Sequence, residues 1–288
     1  MPMFIGAEKL SHTYMPGGPF ATEALHDISF RIEKGEIVLI IGPSGSGKST
    51  LIQHLNGLLM PTSGQVIFED RPISKDRKDL LLLRRRIGLV FQMPEEQFFS
   101  ETVFDEVAFA PRNLGLDDET VRERVYGALK RVGLVAGQYI NRHPFHLSSG
   151  QKRLVAIAAV LSLQPEVLIL DEPTAGLDPS GRRSLFKLLA AFNRKEDLTV
   201  VVSTHHLEEV ASLADRVLVL QEGRLVINGS ADEVFSRRDE LYRLGLALPE
   251  VTEIMYDLVA EGLAVNTAVY SLKEARRELN RLIRRENR

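Results

Sequence analysis

Gly42-Pro43-Ser44-Gly45-Ser46-Gly47-Lys48-Ser49-Thr50 follows the apolar run Ile37-Val38-Leu39-Ile40-Ile41 and precedes Leu51-Ile52-Gln53-His54-Leu55. Strand, glycine-rich turn and helix in that order are the setting a phosphate-binding loop requires. Glycines let backbone N–H groups converge on phosphate oxygens without a Cβ in the way. A helix beginning near Lys48 brings its positive dipole end to the same point. The Lys48 ammonium suits the phosphates and the Ser49 hydroxyl suits a Mg²⁺ ion. Gly42, Pro43, Ser44, Gly45, Ser46, Gly47, Lys48, Ser49 and Thr50 are therefore the candidate nucleotide contacts.

The chain has 288 residues, enough for one large domain or two small ones with a real core. Hydrophobic residues make up 44% and charged residues 26%, an ordinary globular balance. A net charge of −3 provides no global field for nucleic acid or anionic lipid, so no nucleic-acid partner is expected. The absence of cysteine excludes disulfides and thiolate metal sites. Met1-Pro2-Met3-Phe4 lacks the basic and apolar regions of a signal peptide, and no stretch approaches the ~20 apolar residues that span a bilayer. The expectation is a soluble chain whose membrane role comes through a partner.

Ile28, Phe30 and Ile32 alternate with Ser29, Arg31 and Glu33, a half-buried strand pattern. Met60-Pro61-Thr62-Ser63-Gly64 is read as ending the first helix, with a strand at Gln65–Phe68 and another at Ile87–Phe91, led into by Arg84 to Arg86. From Gln92 to Leu147 apolar residues such as Val121, Val125, Leu129 and Val132 recur at helical spacing, which predicts a helical insertion between β-rich halves. Val167–Leu170, Leu198–Val202 and Val217–Leu220 read as strands, two of them near-continuous apolar runs as in a parallel sheet covered on both faces. Beyond about Phe235 the tail carries a helical stripe of Leu272, Ala275, Leu279, Leu282 and Ile283 among arginines and glutamates.

Two further stretches belong with the loop. Val167-Leu168-Ile169-Leu170-Asp171-Glu172 is a buried strand that delivers two carboxylates to the carboxyl edge of the sheet, where open α/β sheets bind ligands. Asp171 fits the Mg²⁺ side, and Glu172, on the opposite face of the strand, fits a water in line with the γ-phosphate. Leu147-Ser148-Ser149-Gly150-Gln151 opens a helix with the pattern of a capping box, and its N-terminus is a second anion cradle. One nucleotide cannot easily occupy two cradles of one chain, whereas two chains facing each other can share them.

Taken together these residues resemble the ATP-binding-cassette ATPases. Gly42–Ser49 matches that family's Walker A loop, Leu147–Gln151 its signature sequence, and Leu168–Asp171 its Walker B strand with Glu172 as the catalytic glutamate. Gln92 matches the Q-loop glutamine, Ala175-Gly176-Leu177-Asp178 the D-loop, His205 the switch histidine, and Tyr14 the aromatic that stacks on adenine. The resemblance implies an α/β fold: a P-loop NTPase (RecA-like) core, an N-terminal antiparallel β part, an inserted α-helical signature subdomain at about 92–160 and a C-terminal helical extension. It implies an ATPase domain over 1–240 and a subunit-contact extension over 241–288. Two cassettes would close head to tail over two ATPs, each held by Lys48, Gln92, Asp171, Glu172 and His205 of one chain and Ser148, Ser149, Gly150 and Gln151 of the other, with Asp178 at the same interface. Ser49, Gln92 and Asp171 would hold Mg²⁺, Glu172 would polarise the attacking water, and His205 would keep the γ-phosphate and that glutamate in register. Two departures bear on turnover: Ser149 stands where the family usually has glycine, and His206 where it commonly has aspartate.

The stretch Phe91-Gln92-Met93-Pro94-Glu95-Glu96-Gln97-Phe98-Phe99, with the tail opening Leu244-Gly245-Leu246-Ala247-Leu248-Pro249, is similar to the energy-coupling-factor ATPases of bacterial importers of vitamins or transition-metal ions. That resemblance implies a peripheral protein at the cytoplasmic face of the membrane, a second ATPase subunit, a membrane T-subunit meeting Glu95, Glu96, Asp105 and Glu106, and a separate membrane substrate-binding component. An ATPase of another cassette importer fits the motifs too, and a soluble mechanochemical cassette protein fits them without the coiled coil or second cassette such proteins carry.

Overall fold

The computed structural model describes residues 3–205, 207 and 210–286. β1 (Ile5–Tyr14) and β2 (Thr22–Ile32) pair antiparallel, and the alternation of Ile28, Phe30 and Ile32 puts those three side chains inward. β3 (Ile37–Ile41) leads through the glycine loop into α1 (Lys48–Leu55), followed by β4 (Ser63–Phe68), the short β5 (Arg71–Pro72), α2 (Arg77–Arg86) and β6 (Ile87–Val90). The insertion holds α3 (Val103–Asn113), α4 (Asp118–Arg131), α5 (Ala136–Tyr139) and α6 (Ser149–Leu161). Then come β7 (Val167–Asp171), α7 (Pro179–Glu196), β8 (Thr199–Ser203), β9 (Arg216–Gln221), β10 (Arg224–Gly229), α8 (Ala231–Phe235), α9 (Arg238–Arg243), α10 (Glu250–Ala260) and α11 (Leu272–Glu286).

β2-β1-β4-β5 make an antiparallel sheet, and β10-β9-β3-β8-β7-β6 make a second, in which all pairings are parallel except the β9–β10 edge hairpin. The continuous apolar runs of β3, β7 and β8 are buried at every position, because this sheet is covered on both faces. The period of two along a strand divides them between two cores. Leu39, Ile41, Leu168, Leu170, Val200 and Val202 pack with the helices of the insertion and with α7. Val38, Ile40, Val167, Ile169 and Val201 pack with α1 and the antiparallel sheet. Leu241, Leu248 and Tyr270 join the first of these cores, so residue 240 does not interrupt it. A third, small cluster of Val251, Met255, Val269 and Ala275 ties α10 to α11.

Three local expectations change. The first helix stops at Leu55, capped by Asn56 with Gly57 in the left-handed region, well before Met60. The sixth strand stops at Val90, before Phe91. Arg84 to Arg86 are the last turn of α2, a helix the hydrophobic pattern hides, because its four consecutive leucines have no helical period and none of its residues is buried. The readable signal is Asp76, whose side chain accepts from Lys78 N–H as an N-cap.

Candidate functional site

The parallel register places Ile40 beside Ser203 and Asp171 beside Ser203, so β3, β8 and β7 end level with one another and the glycine loop sits over their carboxyl ends. The loop is shaped by contacts that admit no Cβ. One added at Gly42 would lie 2.2 Å from the Leu220 carbonyl oxygen. Gly47, the N-cap of α1, has φ +99°, and a Cβ there would lie 2.8 Å from the Ala24 carbonyl oxygen. No side chain caps α1, which leaves its first-turn N–H groups for an anion. Ser46 Oγ is buried without a partner. Lys48 Nζ donates to the carbonyl oxygens of Gly42 at 2.8 Å and Pro43 at 3.0 Å. Burial lowers the Lys48 pKa, and the nearby Glu172 and Asp171 carboxylates oppose that shift.

Facing the loop, Glu172 Oε2 accepts from His205 Nδ1 at 2.9 Å, which fixes the proton on that ring nitrogen. Asp171 is buried and its Oδ1 accepts from the Ser203 hydroxyl at 2.5 Å. A cavity of about 550 Å³ is lined by Gly42, Pro43, Ser44, Lys48, Ser49, Gln92, Glu172 and His205, and also by Gly245, Leu246, Ala247 and Leu248. Ser49 and Gln92 line the cavity, whereas Asp171, buried at the end of β7, does not; the oxygens these three carry are of the kind that suits Mg²⁺, a hard ion that keeps several waters and takes few protein ligands. Among the described residues no group of three or more His, Cys, Asp or Glu gathers as a metal cage.

Other expected residues lie outside that cavity's lining. Tyr14 is exposed, with Oη 3.1 Å from Thr50 Oγ1 and its ring edge-on to His12, whose ring centroid is 4.6 Å away. Ser148 and Gln151 form the capping box of α6, and Gln151 Nε2 donates to Tyr139 Oη at 3.1 Å. Ser149 sits in the first turn of that helix without positive φ, and a Cβ at Gly150 would touch nothing within 4 Å. This second cradle is open. Asp178 caps α7, its Oδ1 accepting from Gly181 N–H at 3.0 Å. His206 lies outside the described residues.

The acidic set after Gln92 does not form one exposed face. Glu106 is only 8% exposed, and its Oε2 accepts from the N–H groups of Phe99 and Ser100, so it closes its own loop and offers no contact surface. Asp105 accepts from Thr102 and Arg112, in that order the causes that hold its carboxyl below the usual range. Glu95 turns inward toward Arg153, 3.8 Å away, with Oε2 buried and unpartnered. Glu96 alone of the four is exposed. Around it lie exposed apolar side chains: Met93, and Phe99 and Phe109 in an edge-to-face pair 4.7 Å apart.

Sequence reasoning missed three contributors. Arg153, 3% exposed, donates to the carbonyl oxygens of Gln92 at 2.5 Å and Ala175 at 3.1 Å, joining the loop after β6 to the loop before α7. Burial lowers its pKa, opposed by Glu95. A charged residue on the apolar face of α6 was the available signal. Ser203 gave none, and the Gly245–Leu248 stretch, noted only for its resemblance, gave none of its place in the cleft wall, since their partners are far away in sequence.

A family model described as ABC transporter matches residues 25–175. The chain is 50% identical over 268 residues to the energy-coupling factor transporter ATP-binding protein EcfA2 of Symbiobacterium thermophilum, a match spanning 93% of this chain and 92% of that one. It is 44% identical over 281 residues to the EcfA2 protein of Clostridium acetobutylicum, spanning 98% of both. Among solved structures, cbiO1 of Clostridium perfringens, described as part of the ABC transporter complex cbiONQ, superposes with a TM-score of 0.76 at 39% identity, over 89% of this chain and all of that one. The ATP-binding cassette MJ0796, solved as a dimer in a post-hydrolysis state with ADP and Pi, superposes with a TM-score of 0.72 at 30% identity, over 79% of this chain and 99% of that one.

Proposed function

The chain belongs to the ABC transporter family and, within it, to the energy-coupling factor ATP-binding proteins, and from that premise we propose that its ATP hydrolysis drives a membrane T-subunit in the import of a micronutrient, a vitamin or a transition-metal ion. The observation that carries this reading is the set of exposed apolar side chains Met93, Phe99 and Phe109 on the segment that follows Gln92, itself part of the cleft lining. No helix among the described residues is long and apolar enough to cross a membrane. We place the chain at the cytoplasmic face of the membrane, with a separate component choosing the substrate.

In this reading Lys48 exchanges two loop carbonyls for phosphate oxygens when ATP enters. Ser49, Asp171 and Gln92 hold Mg²⁺, which when bound neutralises charge on the phosphates. Glu172 orients the attacking water, and His205 keeps that carboxylate aimed through the bond at its Nδ1. Tyr14, pinned to Thr50, is the adenine platform. The open turn Ser148–Gln151 closes on the ATP of a second ATPase subunit, with Asp178 near the same seam, and the 241–288 extension contacts that subunit's counterpart.

Of the acidic residues once grouped as T-subunit contacts, Glu96 is the one whose geometry supports the role. Glu96→Lys is expected to lower co-purification of the membrane subunits at least several-fold while leaving ATP affinity within twofold. Undiminished co-purification removes the proposed contact.

A further inference from the structure

We propose that Ser203 is a positioning residue for hydrolysis, setting both the backbone of Glu172 and the rotamer of Asp171. This rests on the assignment of Glu172 to the attacking water. Ser203 is fully buried at the end of β8, directly across the ladder from Asp171. A hydroxyl at such a place is destabilising unless both its functions are used. Here both are: Oγ–H donates to Asp171 Oδ1 at 2.5 Å, and Oγ accepts the Glu172 N–H at 3.0 Å. The same N–H also points at the Ser203 carbonyl oxygen, 3.1 Å away.

What needs holding is the Glu172 backbone. Its φ is +44°, in the left-handed region that side chains larger than glycine rarely enter. The next residue is Pro173, whose ring biases the residue before it toward extended conformations. A left-handed glutamate before proline persists only where its surroundings over-determine it. Ser203 supplies two acceptors to its N–H, and His205 fixes the far end of its side chain at 2.9 Å. One hydroxyl thus joins the two adjacent carboxylates that the reaction uses for different purposes: Asp171 by its rotamer, Glu172 by its main chain.

The test is a cycle of Ser203→Ala, Glu172→Gln and the double variant, read as single-turnover hydrolysis, steady-state kcat and KM for ATP, and the Mg²⁺ dependence of fluorescent-nucleotide binding. Ser203→Ala is expected to lower kcat about tenfold or more with KM for ATP within twofold, because the lost interaction positions the transition state rather than the bound substrate. In the Glu172→Gln background, at saturating Mg²⁺, the same change is expected to cost residual hydrolysis markedly less than in the parent, since the main chain that Ser203 holds no longer carries the carboxylate that orients the water. There it is still expected to raise, several-fold, the Mg²⁺ needed for half-maximal nucleotide binding, a readout independent of turnover. Ser203→Cys, which keeps the volume and a weak donor, is expected to fall between serine and alanine, and it carries the test if the alanine variant melts early. A wild-type kcat in Ser203→Ala, or equal fold losses with and without Glu172, overturns the proposal. If Glu172→Gln itself turns over normally, the failure lies with the Glu172 assignment instead.

Discussion

His54 sits at the middle of a buried relay. Its Nδ1 is 2.7 Å from the Thr50 carbonyl oxygen and its Nε2 is 3.1 Å from His12 Nδ1. The carbonyl can only accept, so His54 carries its proton on Nδ1 and accepts at Nε2, and His12 donates from Nδ1. His12 Nε2 is then the only vacant lone pair, and it is buried without a partner. A further proton on His54 would place a charge on a buried ring, with the other imidazole as its ionisable neighbour and the Thr50 and Met60 carbonyl oxygens beside it. Burial is the main cause that holds the His54 pKa below 6.5, and the charge of His12 adds to it. The sign follows: the unfolded chain takes up this proton more readily, so the stability is fully present above about pH 6.5 and is lost as pH falls through the lower, folded value. The melting temperature is expected to drop between pH 6.5 and 5, and His54→Gln is expected to flatten that slope. An unchanged slope in the variant assigns the pH dependence to other groups. At this scale the sequence was legible only where partners are near neighbours. The glycine loop shows itself within nine residues, whereas His12 meets His54 across 42 positions and Ser203 meets Asp171 across 32.

At the scale of elements, strands were easier to read than helices. β3 throughout, β7 up to Asp171 and β8 between Thr199 and Ser203 are unbroken apolar runs because both faces of the sheet are covered, and burial accounts for that pattern. The capping box at Ser148–Gln151 was legible for the same reason, being wholly local. α2 was not, since it contributes no buried residue. Asp178 shows how a motif residue can have two duties. It was singled out for a nucleotide interface, and the fold employs it as the N-cap of α7. The two uses separate by substitution. Asp178→Ala is expected to destabilise the chain by about 1 kcal/mol through loss of the cap. Asp178→Asn keeps a capping oxygen and is expected to melt within a few tenths of a kcal/mol of the parent while lowering ATPase activity. Equal activity in parent and Asp178→Asn would leave capping as its duty.

Across the whole molecule, the two anion cradles differ in their state. The glycine loop lines a cavity with Glu172 and His205, while the turn before α6 stands clear of it. Glu172→Gln should therefore retain ATP, lose about 10²–10⁴-fold in hydrolysis, and accumulate as a nucleotide-bound dimer visible by size-exclusion chromatography with light scattering. A Glu172→Gln protein that stays monomeric with saturating ATP would contradict the shared-site reading. The motif order announced such a dimer in the sequence. The surface after Gln92 was less legible, because Glu95, Asp105 and Glu106 are chemically alike in sequence, and only folding turns Glu95 and Glu106 inward and ties Asp105 to Arg112.

The tail behaves differently from the body it follows. α10 and α11 meet over a small cluster of Val251, Met255, Val269 and Ala275, and Tyr256 and Tyr270 join this region to the main core, while Leu272 is 81% exposed and Ile283 54%. Cooperative unfolding is shared among residues that share a core, so α11, which buries only Ala275 among its described residues, is expected to open with a free energy below that of the sheet. Amide protons of α11 are expected to exchange with deuterium long before those of β3, β7 and β8, and to slow when a second subunit covers the leucine stripe. The C-terminal helix would then report subunit pairing in the clock of hydrogen exchange, while the catalytic sheet keeps time independently.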